Sequence, residues 1–272
     1  NVKVLDLYAH SETARAVAFA EPIRRFLAAL FEDDPLAFQS LTFRIGSEQS
    51  MHQDTAYVGV VSPLELVGVW VALEDVREGS GELAYYPGSH RFDECVWDGR
   101  TKRMPLGHAQ HTAYLDSLVA QAAARGIERR LFRPRKGDAI VWHADLAHGG
   151  EPIRDRRLTR RSIVTHFCPM RTEPTYFSYR TEHSPKIPHA SGVYWCAVAR
   201  GFYTGGAASM GSACLKTSEV RRSRGMPGFG ADDSRCTTFP NPSASCCAPT
   251  QWGKRRRRRG WSSTISRRRC MP

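Results

Sequence analysis

Nowhere in this sequence do apolar residues run unbroken for the ~20 positions a membrane-crossing helix requires. No membrane partner is therefore expected. Acidic residues are scarce at one end: residues 196–272 hold 3 Asp or Glu against 15 Lys or Arg, which is the whole of the chain's +12 charge. Residues 1–195 balance at 24 of each sign. The body thus has no electrostatic reason to bind nucleic acid or an anionic surface. Aliphatic side chains fail in the same place, since residues 201–272 contain only Leu215, Val220 and Ile265 from that class. Such a segment cannot bury enough apolar surface to offset its ordering entropy, and a disordered tail over 196–272 is expected. Its basic blocks, "KRRRRR" (254–259) and "RRR" (267–269), offer a nucleic-acid contact or a localisation signal. The favoured reading is a solvated, even out-of-frame, tail with no role.

Cysteine is sparse in the body. Only Cys95 and Cys168 precede residue 195, and two separated thiols in a chain of this size suggest ordinary buried cysteines in a reducing cytoplasm. No signal peptide is visible, but the chain opens at Asn1 rather than Met, so a truncated N-terminus is expected. Nothing repeats at a fixed period. The expected organisation is one domain over 1–195 followed by the tail.

What the body does contain is patterned. "SETARAVAFAEPIRRFLAALFEDD" (11–34) predicts helix, with Ser11 as N-cap, Pro22 in a first turn, and Ile23, Phe26, Leu27 and Leu30 on one face. Strand-like runs follow at 38–45, 55–61 and 66–75, and "GSGELAYYPGSH" (79–90) predicts a glycine-bounded strand entering a Pro-Gly turn. Residues 113–125 predict a helix stopped by Gly126, and residues 137–150 and 161–169 return to strand and turn. Short strands with helices before and between them predict a mainly β fold, a sandwich or jelly roll with flanking helices.

In "MHQDTAYV" (51–58), His52 and Asp54 stand two apart, a spacing that puts both on one face of a strand. Such a pair alone is usually structural, and His143 and Asp145 repeat it in "WHADLAHGG". Further candidates raise its weight: His148 offers a third ligand, and a basic strand, "RLTRRSIVTHF" (157–167), follows. Two neutral imidazoles and a carboxylate form the facial set of non-haem Fe(II) oxygenases, which leaves room for a bidentate 2-oxo acid and O2. The far carboxylate of such an acid needs a fixed cation, and the planar fork of Arg suits it best.

Four ordered stretches, "GSEQSMHQD" (46–54), "LVGVWVALEDVREGSGELAYYPGSHR" (66–91), "KGDAIVWHADLAHGG" (136–150) and "TRRSIVTHF" (159–167), resemble the phytanoyl-CoA dioxygenase family of Fe(II)/2-oxoglutarate-dependent oxygenases over about residues 38–170. The resemblance implies a double-stranded β-helix of cupin type. It also implies Fe(II), 2-oxoglutarate and O2 as cofactor and cosubstrates, with His52, Asp54 and His148 as iron ligands and His143 in support. The family's 2-oxoglutarate arginine lies six residues before the His of a His-Phe/Tyr pair, which points to Arg160. Arg161 is its neighbour and rival, since alternation lets only one face inward. Gln49 and Trp70 match positions near the cosubstrate, although either could be strand-face packing. Some relatives carry a hydroxyl two residues after the distal His, where this chain has Gly150; Thr159 or Ser162 is expected to replace it. Halogenating relatives lack the carboxylate present here as Asp54, so hydroxylation of a C–H bond in a small-molecule or acyl substrate is implied, with release of succinate and CO2.

Two rival readings use the same residues or fold. A zinc hydrolase on the same ligands would need a general base, and no HExxH signal occurs. A non-catalytic jelly-roll binding module, its tail on nucleic acid, would produce no succinate and bind in a salt-governed way. Substrate identity and oligomeric state are not encoded in any motif found.

Overall fold

A computed structural model describes residues 3–62, 65–97, 101–105, 107–175 and 185–196. The chain divides into two compact units, Asn1–Ala213 and Cys214–Pro272, and every described residue lies in the first. Apart from Cys196, the expected tail and its basic blocks lie outside the described residues.

The fold is mainly β: the described residues form ten strands in two sheets with three α-helices. The larger sheet runs in the order β6 (Ala139–His143), β3 (Val67–Ala72), β8 (Ser162–Pro169), β2 (Pro35–Phe43), β10 (Tyr194–Cys196), β9 (Lys186–Pro188), with β1 (Lys3–Leu5) also paired to β2. The smaller sheet runs β5 (Arg130–Phe132), β4 (Leu83–Tyr85), β7 (His148–Gly150). This is the jelly roll that the strand pattern predicts, in the cupin-like form that the family resemblance implies.

β3 shows why the larger sheet can hold a site. All six of its residues are buried, as expected of a strand covered on both faces. Val67, Val69 and Val71 pack outward against Ile23, Leu27 and Phe31 of α2 (Glu21–Phe31). Trp70 and Ala72 point the other way, into a cluster with Leu41, Leu83, Trp142 and Val164 that bridges the two sheets. The helices seal one face, so the other can afford a cavity.

The predicted helix over 11–34 is two helices. α1 (Glu12–Ala18) starts at Ser11, whose hydroxyl accepts a 3.3 Å bond from Ala14 N, and α2 starts anew with Pro22 in its first turn. Proline has no N–H to give a preceding turn, so the chain restarts there. Ile23, Leu27 and Phe31 form the buried stripe, whereas Leu30 faces solvent. The predicted strand at 55–61 is not one. Asp54–Ala56 is a 3-10 turn, because Tyr57 N and Val58 N both donate back to Asp54 O at 2.9 and 2.8 Å. α3 (His111–Ala124) ends just before Gly126, which takes φ +62°, a left-handed stop that glycine adopts without strain. Cys168 is buried as expected, while Cys95 is half-buried. Among the described residues no helix is long and apolar enough to cross a membrane.

Candidate metal centre

The site is built where two separate segments, 52–54 and 144–148, are tied together through their backbones. His52 and His148 exchange main-chain hydrogen bonds in both directions, His52 N to His148 O at 2.8 Å and His148 N to His52 O at 2.9 Å. Asp54 N donates to Ala144 O at 2.9 Å. The "HQD" segment is thus bonded along the start of β7, and its two polar side chains reach one point through an isolated bridge followed by a turn, not through a regular strand.

One ligand atom from each of His52, Asp54 and His148 lies within 4.8 Å of the others, and all three residues are buried. Nε2 of His52 stands 3.9 Å, and Nε2 of His148 3.7 Å, from the same oxygen, Asp54 Oδ1. The orientation of each ring is set from behind. Nδ1 of His52 is 2.8 Å from Ser50 O, and Nδ1 of His148 is 2.9 Å from Leu146 O. A carbonyl only accepts, so both Nδ1 atoms carry the hydrogen and both Nε2 atoms present lone pairs to the common point. Burial, reinforced by the neighbouring His148, holds the His52 imidazole down to about 3. It is therefore neutral at physiological pH, the form that binds metal. Burial alone would raise the Asp54 carboxyl; the imidazoles of His148, His166 and His52 outweigh it and hold the group below the usual carboxylate range.

The other oxygen of Asp54 is held by a residue that the sequence motifs do not single out. Trp142 Nε1 donates to Asp54 Oδ2 at 2.7 Å. His166 Nε2 lies 3.3 Å from the same oxygen, although neither of its ring nitrogens makes a well-directed hydrogen bond. With Oδ2 occupied, Asp54 offers Oδ1 alone to the shared point. His166 was legible by parity, since it follows Arg160, which leads into β8, by six residues, and both line the cavity. Trp142 has a partner signature: it pairs with Gly68 on β3, and a Cβ on Gly68 would fall 2.5 Å from its indole ring. Only glycine leaves room for that ring.

Arg160 is fully buried and lines the same cavity as the triad. Its Nη1 donates to Gly81 O at 3.0 Å, its Nε has no partner, and its guanidinium carbon sits 5.7 Å from the ring centres of both Phe43 and Trp70. No acidic group pairs with it among the described residues; Glu82 is engaged by Arg133 at 3.1 Å. Burial, opposed by Glu82, lowers its guanidinium to about 10, still a cation at neutral pH. Arg161 points to solvent beside Glu74. Gln49 and Trp70 both line the cavity, and the Gln49 amide nitrogen stands 3.2 Å from Nε2 of His52.

Three expectations fare differently. His143 faces away from the triad: its Nδ1 accepts from Asp145 N at 3.0 Å and its ring lies 5.6 Å from that of His90. Asp145 of the second His-x-Asp pair is bound by Thr55 and Lys102, each at 2.7 Å, so that pair is structural. Neither Thr159 nor Ser162 lines the cavity, although Ser162 keeps a buried hydroxyl with no partner.

The glycines after His148 leave room for the backbone of residues 47–51, part of which lines the cavity. A Cβ on Gly149 would meet Gln49 O at 2.6 Å and Met51 N at 3.1 Å. Both are backbone atoms that cannot swing aside. Gly149→Ala is expected to destabilise the fold by about 1–3 kcal/mol, as overpacking does, and to loosen metal binding by parting His52 from His148. Thermal unfolding and a Co(II) titration check the two halves of that outcome.

The comparisons with known proteins agree on the fold and the family. A family model described as phytanoyl-CoA dioxygenase matches residues 3–162, more than half of the chain. The phytanoyl-CoA dioxygenase domain-containing protein 1 of Danio rerio is 29% identical over 149 residues, covering 52% of this chain and 48% of that protein. Its Mus musculus counterpart is 27% identical over 152 residues, 53% of this chain and 49% of that protein. The chain thus spans about half the length of the curated relatives it matches. Among solved structures, the non-heme alpha ketoglutarate dependent carbocyclase SnoK superposes with a TM-score of 0.51 at 16% identity, covering 70% of this chain and 74% of that one. The epimerase SnoN, in complex with Fe3+, alpha ketoglutarate and nogalamycin RO, gives 0.51 at 18% identity, with 72% and 78% covered. At such identities these two speak for the fold alone. The family follows from the match over residues 3–162: this chain belongs to the phytanoyl-CoA dioxygenase family.

Proposed function

We propose that this chain is an Fe(II)/2-oxoglutarate-dependent oxygenase that hydroxylates a C–H bond of a small-molecule or acyl substrate, with residues 1–195 as its catalytic body. The observation that carries the reading is a buried guanidinium, Arg160, without an acidic partner, in the same cavity as the two-imidazole, one-carboxylate set. A desolvated cation is costly unless an anion completes it, and a dicarboxylate that also reaches the metal would do so.

The donor set fits ferrous iron. His52 and His148 would give neutral Nε2 atoms and Asp54 a single oxygen, a facial set with positions left over. Bound there with 2-oxoglutarate and O2, iron supplies the oxidising chemistry that converts the keto acid to succinate and CO2 while a C–H bond becomes C–OH. The protein's part is geometric. Arg160 would receive the distal carboxylate, its guanidinium flanked by Phe43 and Trp70. Trp142 keeps Asp54 from turning. Leu41, Leu83 and Val164 make part of the lining apolar, which excludes water that would weaken these contacts. The neighbour solved with Fe3+ and alpha ketoglutarate supports the reading by showing that a protein of this fold accommodates the pair.

Anaerobic protein given both Fe(II) and 2-oxoglutarate should develop a weak visible charge-transfer band that neither gives alone and that a chelator removes. In air, a panel of acyl, amino-acid-derived and natural-product candidates should contain compounds that stimulate succinate release. No band, and no succinate with any candidate, would refute the proposal.

A further inference from the structure

Gln39 stands in the cavity wall just after an irregularity in β2. Positions 37, 39, 41 and 43 of an unbroken strand would share one face. Here Ala37 belongs to the cluster that includes Ile23, Leu27 and Phe31 of α2, whereas Gln39, Leu41 and Phe43 line the cavity. The pairing of β2 with β8 shifts register between Ala37 and Gln39, as a β-bulge does when one extra residue re-aims the side chains that follow. The bulge turns Gln39 inward.

The two ends of this row face different groups. Phe43 flanks the Arg160 guanidinium at 5.7 Å. Gln39 pairs across the sheet with His166, whose Nε2 lies 3.3 Å from Asp54 Oδ2. Four residues of strand separate the ends by about 13 Å. A keto acid reaching from Arg160 to the metal would lie along the Phe43 half, which leaves the Gln39 half to the primary substrate.

The amide there is uncommitted. Gln39 is only 6% exposed, and its side chain has no hydrogen-bond partner among the described residues. Every other amide or hydroxyl side chain that lines the cavity is engaged. Ser47 Oγ accepts from Gln49 N at 3.4 Å, the Gln49 amide nitrogen stands 3.2 Å from His52 Nε2, and the Tyr57 hydroxyl lies 2.7 Å from His111 Nε2. A carboxamide offers two donors and a carbonyl acceptor, and burying them unmet costs stability.

From this placement we propose that Gln39 is a binding residue for the primary substrate, and that this substrate carries a carbonyl or hydroxyl group close to the C–H bond it presents to the metal. The amide pairs with that group; bare hydrocarbon at this point would leave it unmet. The inference rests on the oxygenase reading above and narrows its substrate to compounds that are polar next to the reacting carbon.

The test uses anaerobic protein loaded with Co(II) and 2-oxoglutarate, as wild type, Gln39→Met and Gln39→Leu. Each is titrated with pentanamide, 1-pentanol and 1-fluoropentane, and paramagnetic relaxation of the probe protons by Co(II) reads both affinity and the carbon nearest the metal. In wild type the amide and the alcohol should bind saturably, with the carbons beside the polar group relaxed most. Both variants should bind these two probes about tenfold more weakly, and 1-fluoropentane no more weakly than wild type does. They should also keep wild-type affinity for 2-oxoglutarate and melt about 2–4 °C higher, because an unmet amide gives way to an apolar group of similar size. Unchanged Kd for the polar probes in the variants, or no saturable relaxation in wild type, would overturn the assignment. So would a loss of 2-oxoglutarate affinity, which moves Gln39 to the keto acid, or a lower melting temperature in both variants, which makes the amide structural. None of these outcomes touches the oxygenase reading, whereas wild type that binds Co(II) but no 2-oxoglutarate would sink both.

Discussion

Arg160→Met should abolish measurable 2-oxoglutarate binding, raising Kd by about a hundredfold or more, and yet leave the protein at least as stable as before. The two halves have one cause. Removing one side of a buried, hydrogen-bonded charge pair typically costs ~2–5 kcal/mol of binding, and every 1.4 kcal/mol is about tenfold. In the free protein, however, the guanidinium has no anion and one unsatisfied Nε. Methionine removes that desolvated charge and can pack between Phe43 and Trp70, the rings that now flank it. The direction of the pKa agrees. Burial lowers this group to about 10, so between pH 10 and the unfolded value near 12.5 the unfolded chain binds more protons, and below pH 10 the folded chain carries the full cost of the charge at constant size. Isothermal titration and thermal unfolding at neutral pH check both halves. Arg161→Ala, at a solvent-facing position, should change neither; a larger binding loss there than at Arg160 would reverse the arginine assignment.

The second large effect is expected at Asp54, where the comparison of two variants separates ligation from folding. Asp54→Asn keeps a side-chain oxygen that can accept the Trp142 indole, now 2.7 Å from Oδ2, but it removes the anionic oxygen that both imidazoles face. Its affinity for Fe(II) or Co(II) should fall by more than about a hundredfold, beyond the 10- to 100-fold that losing a supporting partner costs, while its melting temperature stays close to wild type. Asp54→Ala should lose the metal equally and, in addition, about 1–3 kcal/mol of stability, because a buried indole N–H is left unsatisfied. Metal titration with a cobalt reporter and parallel melts distinguish the outcomes. Equal metal affinity in Asp54→Asn and wild type would remove this residue from the ligand set.

Much of this architecture was legible in the residues. The three candidate ligands, the inward arginine and the mainly β class follow from motif order, alternation and the turn chemistry of Gly and Pro. What escaped did so for identifiable reasons. Strands β1, β5, β9 and β10 are three residues each, too short to show a period. Residues 55–61 alternate like a strand, but tertiary bonds from the Asp54 and Ala144 backbones override that local pattern. Leu30 falls outside the buried stripe because α2 meets its neighbours along Ile23, Leu27 and Phe31, a row spaced by four that leaves Leu30 on its exposed side. Trp142 was missed because its importance lies in the glycine that stands opposite it at 68, as Gly149 and Gly150 stand against residues 47–51. Periodicity describes one segment at a time, whereas these are complementarities between segments far apart in the chain.

The reciprocal main-chain link between positions 52 and 148 has a practical corollary for handling the protein. Because backbone amides set the spacing of the two imidazoles, ion loading does not have to organise the chain, unlike small zinc domains whose folding depends on the ion. A sample stripped by dialysis should therefore hold its shape and accept Ni(II), Mn(II) or Co(II) on simple addition, without a refolding step. Inert or coloured substitutes for iron can then be installed in native protein for crystallography and spectroscopy.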